Sequence, residues 1–137
     1  MQVTEQNILE ITPHVIGLLE QWNLTPEQIY ALLGLEGDVK SRDMRKFRSN
    51  SKALPWSKEL AERIDHISGI ADALQTTFPH NSEMRALWLR QPHRRFAKAK
   101  PLAVMLNEGM DGLVKVRIEV DCAWGWSLSG GGSDSQQ

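Results

Sequence analysis

The thirteen residues from Lys40 to Lys52 hold six bases, Lys40, Arg42, Arg45, Lys46, Arg48 and Lys52, against the single acid Asp43. Ser41, Ser49 and Asn50 stand among them. Arginine and lysine at helical spacing neutralise phosphates and reach guanine edges in a major groove, and small polar side chains add neutral contacts. A second block, residues 85–100, has six bases (Arg85, Arg90, Arg94, Arg95, Lys98, Lys100) and no acid. It interleaves with Trp88, Pro92, Phe96 and Pro101, which reads as a fixed loop rather than a helix face. Surfaces of that composition suit protein partners as well as single-stranded nucleic acid. Either block taken alone also has a plain reading as a solvated face.

Covalent and metal chemistry find little to work with. His14, His66, His80 and His93 show no HxH, HxxxH or HExxH spacing. No GxSxG or Walker-type loop is present, and the only glycine cluster is Gly130-Gly131-Gly132 near the end. The single cysteine, Cys122, excludes an internal disulfide and reads as a small core residue rather than a nucleophile. The expectation is a protein that is not an enzyme, with no metal and no cofactor.

The 137 residues carry a formal charge of only −1, but that total hides segregation. Residues 1–39 have six acids and no Lys or Arg; the two basic blocks then alternate with mildly acidic stretches. Two cationic patches on a near-neutral chain imply two surfaces that meet something anionic. With 41% hydrophobic and 24% charged residues, the composition is that of a globular domain with its own core. Apolar runs are too short to span a bilayer, and the N-terminus lacks the basic and apolar regions of a secretory signal, so the expected location is the cytoplasm.

The elements that must position these blocks read as helices. Thr12-Pro13 has the form of a helix start, followed by Val15, Ile16, Leu19 and Trp22 on one face. Thr25-Pro26-Glu27-Gln28 is a capping box, with Ile29, Leu32 and Leu33 as the buried stripe and Gly34 as the stop. A turn leads to a short cationic helix over about Val39 to Arg48, anchored by Met44 and Phe47. Ser57 caps the longest helix, Lys58 to about Phe78, where Leu60, Ile64, Ile67, Ala71, Leu74 and Phe78 form a heptad-like seam and Gly69 implies close packing. From His80 the character changes. Asn81 or Ser82 starts a short helix with Met84, Leu87 and Trp88, and Pro101 opens another that stops near Gly109. Residues 113–120 alternate apolar and charged side chains and on pattern alone read as a strand, but no second strand exists to pair with it. Ser127 to Gln137 reads as a flexible polar tail.

A capped helix, a turn and a cationic helix with apolar anchors three apart form a helix–turn–helix pattern, in which the first helix braces and the second enters the major groove. The turn has about four extra residues, and Tyr30 stands where the motif wants a small side chain. A helical bundle with a basic surface helix is the other reading.

Trp22-Asn23-Leu24-Thr25, Ala31-Leu32-Leu33-Gly34, Glu62-Arg63-Ile64 and Ile70-Ala71-Asp72-Ala73-Leu74 resemble the N-terminal half of Xre-type antitoxins. Ala86-Leu87-Trp88-Leu89-Arg90-Gln91-Pro92, Pro101-Leu102, Gly109 and Gly112-Leu113-Val114-Lys115-Val116-Arg117 resemble the Xre/MbcA/ParS toxin-binding domain. The resemblance covers roughly residues 14–126. It implies an all-α chain with a helix–turn–helix domain (1–79), a toxin-binding domain (80–126) and a tail (127–137). It further implies a homodimer that represses its own operon and neutralises a RES-domain toxin that degrades NAD. The 113–121 segment is then a helix, with Leu113, Val116 and Val120 inward. Lys40, Ser41, Arg42, Arg45, Lys46 and Arg48 are the expected operator-DNA contacts. Arg90, Arg94, Arg95, Trp124 and Trp126 are the expected toxin contacts. Departures from the family pattern are His93 for its asparagine, Ala97 for its glycine, Glu119 for its tyrosine, and the Trp124-Gly125-Trp126 ending. A stand-alone transcriptional regulator, or an interaction module that no longer binds DNA, fits the same residues.

Overall fold

A reciprocal pair turns the chain into the first helix: Thr4 N–H donates to Asn7 Oδ1 (2.7 Å) and Asn7 N–H to Thr4 Oγ1 (3.2 Å). The computed structural model describes residues 2–129, with side chains described for residues 2–122. Helix α1 (Ile8–Gln21) therefore begins well before Pro13, which lies inside it. Thr12 is not the expected cap. It is fully buried, its hydroxyl donating to Ile8 O (2.7 Å) and accepting from Leu54 N–H (3.0 Å). The Thr-Pro pair looks like a helix start because proline tolerates the first turn, yet here the buried hydroxyl satisfies a distant backbone amide instead.

Helix α2 (Pro26–Leu33) has both bonds of its capping box, Gln28 N–H to Thr25 Oγ1 at 3.2 Å and Thr25 N–H to Gln28 Oε1 at 2.9 Å. Gly34, at φ +72°, ends it, and Leu35 N–H returns to Tyr30 O. Arg63 covers this end, donating from Nη1 to Leu32 O at 3.1 Å, where a cation complements the helix dipole. Nine residues, 34–42, separate α2 from the short α3 (Asp43–Arg48). α1 packs on both, around Ile16, Leu19, Leu32 and Phe47 as fully enclosed side chains.

Ser57 accepts from Leu60 N–H and starts α4 (Lys58–Thr77). Its buried row is Leu60, Ile64, Ile67, Ile70 and Leu74; Ala71 and Phe78, expected in the seam, are half-exposed. A straight helix of 3.6 residues per turn drifts away from a seven-residue repeat, so Ile70 rotates inward as Ala71 rotates out. The chain forms two compact units, Met1–His66 and Ile67–Gln137, and the division falls within α4.

In the second unit Asn81 accepts from Met84 N–H and caps α5 (Ser82–Arg90). The side chains this helix buries are Ala86 and Leu89, whereas Met84 and Leu87 are exposed. Apolar residues occupy two opposite rows of α5, and spacing does not decide between them. A 3₁₀ turn, Arg94–Phe96, follows, and then α6 (Pro101–Ser129), broken at Gly109 with φ +60° and ψ −136°. That geometry is essentially open to glycine alone. Just beyond it the two arms of α6 meet so closely that a Cβ on Gly112 would lie 2.3 Å from Val104 O. Residues 113–120 are helical, with Leu113, Val116 and Val120 buried, and the described residues contain no strand. Gly69 of α4 is covered by the guanidinium of Arg117, 2.4 Å from a would-be Cβ, which is the close packing its sequence position implied. Cys122 is exposed, not a core residue. Helix α6 reaches Ser129; the rest of the expected tail lies outside the described residues.

Gly112→Ala is expected to lower stability by about 2–3 kcal/mol, since backbone rather than a mobile side chain must yield. Gly17→Ala, in α1 with open space around it, is expected to raise stability by about 1 kcal/mol through helix propensity. Thermal denaturation of the two variants beside the parent chain measures both signs.

Candidate functional site

The cationic face of the first unit rests on a buried polar lock. Tyr30 OH donates to Lys40 O at 2.9 Å, and Lys40 N–H donates to Asp43 Oδ2 at 3.1 Å. Tyr30 also packs edge-on against Phe47, centroids 6.3 Å apart. The large side chain at the position where a small one is expected thus fills the space under the long turn and ties its carbonyl down. Burial, then the nearby Asp43 charge, pushes the Tyr30 phenol up, so it stays a neutral donor. The Lys40 N–H bond holds the Asp43 carboxyl below its usual range against the opposing effect of burial, and Lys52 and Lys46 pull in the same direction. Lys52 Nζ stands 3.4 Å from Asp43 Oδ2 and 5.9 Å from the Phe47 ring centroid.

With Asp43, Met44 and Phe47 inward, Arg42, Arg45, Lys46 and Ser49 project outward, all exposed. Their spacing of three, one and three places them on one side of α3. Lys40 and Ser41 lie in the turn ahead of α3 and are also exposed. Arg48 differs from the others: its Nε donates to Glu20 Oε2 of α1 at 3.0 Å. It braces α3 on α1, a pairing between residues 28 apart that sequence spacing does not reveal.

The second block is built differently. Arg85 turns inward along the backbone, donating to Phe78 O (2.9 Å) and Pro79 O (3.0 Å), so it holds the α4–α5 connection. Arg90 Nη1 reaches back to Ala86 O (3.4 Å). Arg94, Arg95, Lys98 and Lys100 are exposed on a loop closed upon His93, whose N–H donates to Ala99 O (3.1 Å) and whose carbonyl accepts from Lys98 N–H (2.8 Å). The His93 ring lies 4.5 Å from Trp88 and 6.2 Å from Phe96. Burial lowers the pKa of His93, partly opposed by its hydrogen bond to the Trp88 backbone. Ala97 and Lys98 both have positive φ, +53° and +70°. Ala97 therefore occupies, with strain, a backbone conformation natural to glycine.

Between this loop and α6 lies a groove of about 710 Å³, walled by Arg95, Phe96, Val104 and Glu119, with the exposed Ile118 beside them. Arg95 Nε stands 3.5 Å from Glu119 Oε1 across it. Burial raises the Glu119 carboxyl, and the Arg95 charge opposes that. Among the expected toxin contacts, Arg90, Arg94 and Arg95 thus cluster at the end of α5 and in the loop. Trp124 and Trp126 carry side chains outside the described residues. No group of His, Cys, Asp or Glu among the described residues is arranged to hold a metal ion.

Residues 73–121 match the antitoxin Xre/MbcA/ParS C-terminal toxin-binding domain. This segment, 49 of the 137 residues, is thus similar to the toxin-binding part of Xre/MbcA/ParS antitoxins. No curated protein matches the chain. The matched segment takes in the end of α4, all of α5, the loop with Arg94 and Arg95, and α6 as far as Asp121. Helix α3 and its cationic face lie outside it, as do Trp124 and Trp126. No helix among the described residues is long and apolar enough to cross a membrane.

Two substitutions check the geometry. Ala97→Gly is expected to stabilise the Xre/MbcA/ParS-type segment by about 1 kcal/mol, because it relieves the left-handed strain; its melting temperature should rise. Asp43, with its pKa held low in the folded state, contributes stability above its unfolded pKa that is lost as pH falls through the folded value. Asp43→Asn should accordingly cost stability at pH 7 and cost progressively less on acidification toward pH 3, as read from melting temperatures across that range.

Proposed function

We propose that this chain is the antitoxin of a type II toxin–antitoxin system, a cytoplasmic homodimer that neutralises a RES-domain, NAD-degrading toxin and represses its own operon. The match of residues 73–121 to the toxin-binding domain carries this reading. In it, residues 1–79 act on operator DNA and residues 80–126 on the toxin. Arg90, Arg94, Arg95, Trp124 and Trp126 meet the toxin and occlude it as a bound partner, without taking part in any chemical step.

The DNA-binding half rests on a helix–turn–helix assignment for α2 and α3. Its support is the outward row Arg42, Arg45 and Lys46 on a helix whose inner side is anchored by Met44 and Phe47. Helix α3, six residues and about 9 Å long, is short enough to seat end-on in a major groove. Lys40 and Ser41 ahead of it are in position for phosphate contacts, and Arg48, paired with Glu20, is the member of the expected set given chiefly to bracing.

The arginine row is tested on operator DNA. Arg42→Ala with Arg45→Ala should abolish retardation of the chain's own promoter fragment and flatten the salt dependence of any residual binding by a slope of about 2, one for each lost phosphate or base contact. The same variant should still co-purify with the product of the adjacent gene and still protect cells expressing that product. Unaltered retardation would place the DNA-binding surface elsewhere. Failure of the parent chain to bind or neutralise the neighbouring protein would remove the antitoxin reading.

A further inference from the structure

Met84 and Leu87 are 36% and 43% exposed, on the side of α5 opposite the buried Ala86 and Leu89. Two large aliphatic side chains three residues apart on a short capped helix form a continuous apolar ridge. Arg90, three residues further, continues that row, and the chain then runs directly into the loop with Arg94, Arg95 and Lys98. An apolar centre with a cationic border is the composition of a protein-binding patch, in which a few apolar anchors dominate and charged groups at the rim steer and align.

We propose that Met84 and Leu87 are the anchors by which this chain holds its protein partner, and that the partner presents an apolar hollow bordered by Asp and Glu. The inference rests on the antitoxin reading, and adds to it both the residues at the centre of the contact and the chemistry of the face they meet. Charge fixes the sign of the border on the loop side, where Arg90, Arg94, Arg95, Lys98 and Lys100 follow the ridge, while Arg85 is turned inward and Glu83 stands at the start of the helix. Continuity fixes the kind of partner, since ridge and loop both lie inside the segment that matches a toxin-binding domain. A nucleic acid partner is disfavoured by the state of the aromatic rings. Single strands bind by stacking bases on free aromatic faces. Here Trp88, His93 and Phe96 are half-buried and turned toward one another, His93 between the other two, so their faces hold the loop together. The exposed apolar groups are aliphatic.

The test uses the full chain with Met84→Asp and Leu87→Asp together, and separately with Arg94→Glu and Arg95→Glu. Both sites are at the surface, and circular dichroism and melting temperature establish that each variant is folded. Binding to the product of the adjacent gene, oligomeric state by light scattering, and retention of a labelled 20-nucleotide single strand are then measured beside the parent. The expected result is a loss of affinity for the protein partner of at least about tenfold in each double variant. For Arg94→Glu with Arg95→Glu the loss should shrink as salt rises. Oligomeric state should be unchanged and the single strand should bind none of the three. Full binding of the partner by Met84→Asp with Leu87→Asp, while the parent also binds, overturns this inference and leaves the antitoxin reading standing. Conversion of that variant to a smaller oligomer makes the ridge a contact between copies and overturns it as well, as does retention of the single strand by the parent and its loss in the variants. Absence of partner binding by the parent removes the antitoxin reading itself.

Discussion

The C-terminal unit depends on one crossing of backbone over backbone. At Gly112 the second arm of α6 passes so close to Val104 O that no side chain fits between them. Gly109, three residues earlier, supplies the turn in a conformation closed to other residues. Together they fold α6 back on itself, and the apolar rows of its two arms, Val104 and Met105 on one and Leu113, Val116 and Val120 on the other, become one core. Helix α5 adds Leu89 and Ala86 to the unit, and the basic loop is then held by its two ends. The fold of this unit follows from two glycines that carry no chemistry.

The N-terminal unit solves a different problem, how to present a row of cations on a helix of only six residues. Such a helix has little stability of its own. Its support comes from elsewhere: Met44 and Phe47 in the core, the Asp43 carboxylate closing its first turn, and Tyr30 fixing the loop before it. The longer turn and the large Tyr30 side chain, each a departure from the compact motif, compensate for one another. Arg48 and Lys52 are spent on ion pairs with Glu20 and Asp43, and the outward charge is left to Arg42, Arg45 and Lys46. Exposed pairs of this kind contribute little to stability individually, and their effect is to fix where the charges point.

Strain and stacking set the basic loop. Ala97 and Lys98 hold left-handed conformations without the benefit of glycine, and the Trp88, His93 and Phe96 rings pack around the bend. A loop so constrained loses little further freedom when a partner docks, which favours affinity. Arg85, counted with this block by sequence, is turned inward onto the carbonyls of Phe78 and Pro79 and holds the α4–α5 connection instead.

Local chemistry was enough to read α2, whose capping box and terminal glycine act within one turn of the chain, and likewise the Ser57 cap and the stop at Gly109, while it left the start of α5 open between Asn81 and Ser82. It misplaced the start of α1, because whether Thr12 caps a helix or is buried in one depends on Leu54, 42 residues away. It read residues 113–120 as a strand by alternation, and only the family resemblance pointed to a helix. The physical reason is that Leu113, Val116 and Val120 satisfy a helical face as readily as Val114, Val116, Ile118 and Val120 satisfy a pleat. By itself, then, the sequence determined where most helices begin and end, where charge of each sign accumulates, and that the C-terminal part resembles a known toxin-binding domain. Tertiary structure alone decided which of two apolar rows on α5 is buried, which arginines are braces, and which aliphatic side chains are left facing solvent. Caps and charge runs act over a few residues, whereas burial is set by partners that the chain brings together from far apart.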